Sequence, residues 1–372
     1  MEPLGIEKAE SLGAIPRAFR LGPLNAEELA RFYCDKTMAV RTGDRWHSPT
    51  DDLYEDCTTP FGRNAKLLLG QRGCGKSTEL CKLKQRLEDA GWPVWIINAE
   101  AEMDLFQASC RDVMLGIAEG LRMIAGKHGI ELPHGAPEPN ASCIMEISDR
   151  IAKGAGGKQP VLIFDGIDKL QPQEKALDMF RCHALAQMPF PVIYTFPLSL
   201  RYDSRFALIK DFYELHILPM IKVSNIDRSQ SEEGIGVIRE IVRLRADAKL
   251  FSENALAMLI EQTGGVLRDL FACIIASARR ASKRGSSKIE AEDARRALQE
   301  LSSELNRGIS GPDYPMLASI YNDQKFKEQI EDSQFLIRQM QALVVLEFGG
   351  TRWHEVHPLI AEFLIEQGFA DD

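Results

Sequence analysis

Over the first two thirds of the chain, short and uniformly apolar runs alternate with longer amphipathic stretches. The apolar runs fall at 66–69, 94–97, 161–164, 192–196 and 215–218. Each is too short and too evenly apolar for an exposed antiparallel strand, so they predict buried parallel strands. Helix-length segments such as 77–90 and 104–128 lie between them, as parallel connections require. Two loops, "ELPHGAPEPN" (131–140) and "KGAGGKQP" (153–160), bracket a short helix around 144–151. From about residue 225 the strand pattern stops, and helical periodicity takes over at 234–245, 252–262, 266–282 and 290–305. Near the end, "VVLEFGGTRWHEVHP" reads as two β-rich runs joined by Gly349 and Gly350, a hairpin pattern. The expected division is an N-terminal helical or linker segment (1–58), an α/β core (59–225), a helical region (226–308) and a small C-terminal domain (309–372).

Composition narrows the class. With 372 residues, 45% of them apolar, the chain is long enough for two or three domains and gives no sign of disorder. Its eight cysteines include no C-x-x-C pair and lack the density of a disulfide scaffold, which fits a reducing compartment and argues against a zinc site. The start "MEPLGIEKAE" lacks the basic and apolar regions of a signal peptide, and no run approaches a membrane span, so a cytoplasmic protein is expected. A formal charge of −9 offers no global attraction to nucleic acid; DNA binding would need a local basic surface.

The chemistry concentrates behind the first apolar run, in "GQRGCGKSTEL". Gly70, Gly75, Lys76 and Ser77 fit G-x-x-x-x-G-K-[ST], with Gly73, Cys74 and Thr78 completing the loop. Glycines allow the backbone to form a nest of amides, and the following helix N-terminus attracts phosphates. Lys76 reaches the outer phosphates, and the Ser77 hydroxyl ligates Mg²⁺. Cys74 reads as a small residue filling the loop. A second apolar run ends in "VLIFDGIDKL", placing Asp165 where a phosphate-loop enzyme puts the carboxylate of its Mg²⁺ site. Motors carry Glu directly after that acid. Here Gly166 follows and the next acid is Asp168, the candidate for orienting the attacking water. ATP and Mg²⁺ are the expected cofactors, and the expected fold class is α/β: a parallel P-loop NTPase sheet sandwiched by helices.

The strand ending in "DG-x-D" resembles the corresponding motif of STAND-type NTPases, including the NACHT group. The order of parts is also similar to the origin-initiator and transposition-regulator ATPases of the AAA+ class. That resemblance spans roughly 60–370 in architecture, but its specific motifs are the phosphate loop and "DGID". It implies a helical lid, a winged-helix-like end and a slow ATPase that works as a switch, with bacterial defence as a setting suggested by the likeness alone. Lys169 stands where NACHT members usually carry another acid, a departure that points away from fast hydrolysis.

Candidate arginines follow from the need to stabilise a transferring phosphoryl group. Arg268, in "TGGVLRDL", is similar to the lid arginine of AAA+ proteins that senses the γ-phosphate. After the fourth run, "TFPLSLRYDSRF" offers Thr195 at a strand end, with Arg201 and Arg205 as sensor or subunit-bridging residues. Residues 312–372 carry four Lys and Arg against eleven Asp and Glu, a net of −7 that repels DNA. By contrast the basic cluster Arg279, Arg280, Lys283 and Arg284 reads either as a solvated helix end, where cations suit the helix dipole, or as a contact for nucleic acid or an acidic partner. His354 and His357 are placed on opposite faces of a strand and make no metal site. With no G-x-S-x-G motif or effector domain, output must pass through another chain. Two functions follow: a nucleotide-dependent, oligomerising switch acting on a protein partner, or a DNA-transaction ATPase assembling on duplex. A non-hydrolysing scaffold is the third.

Overall fold

A computed structural model describes residues 5–42, 48–59, 62–132, 141–323, 332–349 and 353–370. Most of the loop expected at 131–140, and Gly350 of the expected hairpin turn, lie outside these residues. The chain forms two compact units. One combines Met1–Ser48, Gln71–Gly75 and Pro219–Asp372; the other combines Pro49–Gly70 and Lys76–Leu218.

The second unit holds five parallel strands, β1 (Ala65–Gly70), β2 (Val94–Asn98), β3 (Val161–Asp165), β4 (Val192–Pro197) and β5 (Glu214–Ile217), in the order β2-β3-β4-β1-β5. These are the five apolar runs, each displaced by a residue or two at its ends. β1 and β4 are buried along their whole lengths, which is why their sequences show no alternation. Ala65 pairs with Val192 and Lys66 with Glu214, while Val94 pairs with Val161. This is an α/β P-loop fold, with the loop after β1 leading into the helix Lys76–Asp89, which buries Leu80, Leu83 and Leu87. The periodicity at 104–128 overran the true start of its helix. Cys110–Lys127 begins behind Ser109, whose backbone N–H donates to Asp112 at 2.8 Å in a capping box. One correction concerns the thiols. Cys110 and Cys182 form a disulfide, their Cα atoms 6.5 Å apart; a scan for close spacing misses a pair separated by 72 residues.

The first unit is mostly helical. Glu232–Arg245, Glu253–Gln262, Leu267–Lys283 and Ala291–Asn306 occupy the four stretches where helical periodicity was read. Leu267–Lys283 buries Leu270, Cys273, Ile274, Ser277, Ala278 and Ala281, one apolar stripe at three- and four-residue spacing. Beyond Tyr314–Asn322 and Ser333–Gln341 come antiparallel β6 (Val345–Phe348) and β7 (Trp353–Val356), then the helix Pro358–Glu366. The N-terminal part adds Ala26–Phe32, capped by Asn25, and the short helix Thr37–Thr42. Among the described residues no helix is long and apolar enough to cross a membrane, and no cluster of His, Cys, Asp and Glu has a metal-holding arrangement.

Candidate nucleotide site

In the second unit the carboxyl ends of β1, β3 and β4 bring together Gly70, Lys76, Ser77, Asp165, Asp168 and Thr195, the region of an open α/β sheet where ligands bind. Lys76 is 6% exposed. Its Nζ donates to the Gly70 carbonyl at 2.7 Å and lies 2.9 Å from Asp168 Oδ2. The other Asp168 oxygen, Oδ1, is buried with no hydrogen-bond partner among the described residues. The Ser77 hydroxyl stands near enough to Asp165 to favour its ionised form. Thr195, fully buried on β4, accepts from the Gly166 N–H at 2.9 Å and lies 3.5 Å from the Asp168 N–H. Thr195, at its strand end, therefore holds the turn that carries the second acid.

The two acids are pushed apart electrostatically. Burial alone raises the Asp168 carboxyl, but the Lys76 charge and hydrogen bond, helped by Lys169 and Thr195, outweigh it and leave Asp168 below the usual carboxylate range. Asp165 goes the other way: burial and the Asp168 charge raise it, against the pull of Ser77, Lys169 and Lys76. Such a split between neighbouring carboxylates is how one site keeps one acid ionised and the other ready to exchange a proton or cation. Gly166 also gains a physical reason. Its φ is +98°, a left-handed conformation that side-chain-bearing residues adopt only with strain, so the turn between the acids disfavours the motor-type Glu. Lys169, the other departure, pairs with Glu100.

The loop residues 71–75 belong to the first unit, and their neighbours there are specific. Gly73 and Gly75 have φ of +81° and +104°. A Cβ on Gly73 would lie 3.0 Å from Val266 Cγ1 and 3.1 Å from Arg268 Cβ, so the start of Leu267–Lys283 packs directly on the loop. This places Arg268 beside the phosphate loop. Its neighbour Asp269 is raised to about 6 by burial, against the charges of Arg268 and Arg72. Cys74 is 1% exposed, in keeping with a small filler residue.

Two residues with no sequence signal also meet the loop. The Gln71 side-chain amide donates to the Val345 carbonyl at 2.9 Å, and its oxygen accepts from the Glu347 N–H at 2.8 Å, tying the loop to β6. Arg41, on Thr37–Thr42, donates through Nη2 to the Cys74 carbonyl at 2.5 Å and through Nη1 to the Pro219 carbonyl. Position 71 is a variable place in the loop motif, and Arg41 lies far upstream in a stretch without periodicity; only the fold brings them there.

Arg205 forms a two-pronged pair with Asp203, Nη2 to Oδ2 at 2.8 Å and Nε to Oδ1 at 3.0 Å. Arg201 sits on the short 3-10 turn Leu198–Tyr202 that follows β4. In the basic cluster, Arg280 pairs with Glu300 and Arg284 with Asp293 at 2.6 Å, while Arg279 and Lys283 are exposed.

No family model matches the sequence, and no curated protein matches it. Similar solved structures include the ORC2 protein of Aeropyrum pernix in its ADP form, 12% identical with TM-score 0.49, covering 96% of this chain and 99% of that one. Cdc6p from Pyrobaculum aerophilum is 14% identical with TM-score 0.45, covering 86% and 92%. A RuvB variant of Thermotoga maritima is 12% identical with TM-score 0.42, covering 94% and 98%. Likenesses at these TM-scores bear on neither activity nor partner; the fold stands on the chain's own strand order.

Proposed function

We propose that the protein is a slow, regulatory ATPase of AAA+/STAND type, whose bound nucleotide sets a conformational or oligomeric state read by a partner protein. The observation that carries this reading is the pairing of the loop lysine with an acid beyond β3, Lys76 with Asp168 at 2.9 Å, beside Ser77 and Asp165. The residues present fit a triphosphate with a divalent cation, since the loop has glycines at positive φ and Asp168 keeps a buried oxygen without a partner. Lys76 and the amides of residues 73–77 would hold the phosphates, and Ser77 and Asp165 the cation. Mg²⁺ there neutralises charge on the transferring phosphoryl group. A bound phosphate would compete with Asp168 for Lys76, loosening that carboxylate to orient water. The exchange is a step that slows turnover and makes the lysine sensitive to occupancy. Arg268 would act as the lid residue that distinguishes tri- from diphosphate, and 309–372 as a winged-helix-like output domain contacting protein.

The test is calorimetry with ATP and Mg²⁺ on wild type and Lys76→Ala. Loss of binding in the variant with an unchanged circular-dichroism spectrum supports the reading; unchanged affinity overturns it. The DNA-transaction alternative rests on Arg279 and Lys283, the exposed members of the cluster with no ion pair among those described, and is weakened by the acids that engage Arg280 and Arg284.

A further inference from the structure

Arg41 is 3% exposed, yet both of its hydrogen-bond acceptors are neutral carbonyls, those of Cys74 and Pro219. Its Nε is buried without a partner, and among the described residues no carboxylate forms an ion pair with it. Burying a guanidinium without an anion costs several kcal/mol, and chains retain such a charge where something compensates it. The location says what that is. Nη2 contacts the phosphate loop at Cys74 and lies 3.5 Å from where a Cβ on Gly75 would sit, so the charge is held against two successive loop residues.

We propose that Arg41 is a positioning residue of the phosphate loop whose counter-charge is the polyphosphate of the bound nucleotide. It acts in two ways. By holding the Cys74 carbonyl it fixes the plane of the Cys74–Gly75 peptide, which sets the direction of the Gly75 amide in the loop. As a buried cation it also adds a fixed positive field, effective because the surroundings screen it poorly. Arg is suited to this: it stays protonated when buried, and its fork reaches two carbonyls at once. The same fork ties the loop to Thr37–Thr42 and to the segment beginning at Pro219, so strain at the loop is felt at both. The inference rests on the phosphate-loop reading of residues 70–77.

The experiment compares wild type, Arg41→Gln, Arg41→Lys and Lys76→Ala by thermal shift and calorimetry, using ATP, AMP and inorganic tripolyphosphate as probes. Gln keeps a donor for the Cys74 carbonyl but removes the charge; Lys keeps the charge but removes the fork. Arg41→Gln should weaken ATP and tripolyphosphate at least tenfold and shrink their stabilising shift, while AMP changes less than threefold; Arg41→Lys should recover most of the loss. If Arg41→Gln binds ATP and tripolyphosphate as wild type does while Lys76→Ala loses both, the proposal is overturned and the phosphate loop stands. If all three probes weaken equally in Arg41→Gln, or if Arg41→Gln alone lowers the ligand-free melting temperature with no change in ligand shift, Arg41 is structural only and the proposal also fails. If Lys76→Ala binds normally, the loop reading itself is wrong. Should Arg41→Gln not fold, loss of the ATP-over-AMP preference in Arg41→Lys would support the positioning role, and its full retention would overturn it.

Discussion

Lys76 is gripped by Asp168 and by the Gly70 carbonyl, so its charge is committed before any phosphate arrives. Removing the acid should therefore have two opposite effects. Asp168→Ala frees the lysine and should bind ATP at least as tightly as wild type, yet lose the residual hydrolysis, which for wild type is expected below about 1 s⁻¹. Single-turnover assays beside calorimetry check both, and fast hydrolysis in the variant would show that water is oriented elsewhere. A second residue, His357, adds to acid sensitivity. Fully buried at the cap of Pro358–Glu366, where its Nδ1 accepts from the Leu359 N–H at 3.3 Å, it is pushed from its ordinary 6.5 down to about 3 by burial. A histidine depressed on folding stabilises the protein fully above its unfolded value, and that contribution is lost as pH falls from there toward 3. The melting temperature should thus drop between pH 7 and 4, and the drop should be smaller in His357→Gln.

At the scale of elements, the phosphate loop is stitched to the C-terminal hairpin. Gln71 uses both ends of its amide on the backbone of β6, one as donor to Val345 and one as acceptor from Glu347. Gln71→Ala leaves a buried carbonyl and a buried N–H without these bonds, at a cost of about 1–3 kcal/mol each. Hydrogen exchange at Glu347 should accelerate on the order of tenfold or more, and unchanged protection would mean the pairing is incidental. The turn between the two acids is the other sensitive element. Gly166→Glu restores a motor-type acid but forces a side-chain residue to φ +98°, a strain of about 1–3 kcal/mol. The variant should unfold at lower denaturant without gaining turnover.

For the whole molecule, the switch reading makes nucleotide identity a structural variable. A ligand shifts a conformational equilibrium only by its differential affinity for the two states. ATP analogue should therefore compact or assemble wild type where ADP does not, and Arg268→Ala should abolish that difference in light scattering. Identical mass and shape in both nucleotides would end the switch model. Any duplex binding should fall steeply with salt and vanish when Arg279, Arg280, Lys283 and Arg284 are replaced.

The strands, the loop and both acids were legible in the sequence because each is written locally. Buried parallel strands require continuous apolar runs, and phosphate binding requires glycine, lysine and serine at fixed spacing along one turn. Charge and capping are legible in the same way, as neighbours along the chain. What the tertiary structure alone decided are relations between segments far apart. It put Lys76 on Asp168, Thr195 under the turn between the acids, Gln71 on β6, Arg205 on Asp203, and Arg41 against Cys74. Cys110 and Cys182 met for the same reason. Such contacts depend on how helices and strands stack, and no periodicity or spacing encodes which distant side chain the packing delivers to a given backbone carbonyl.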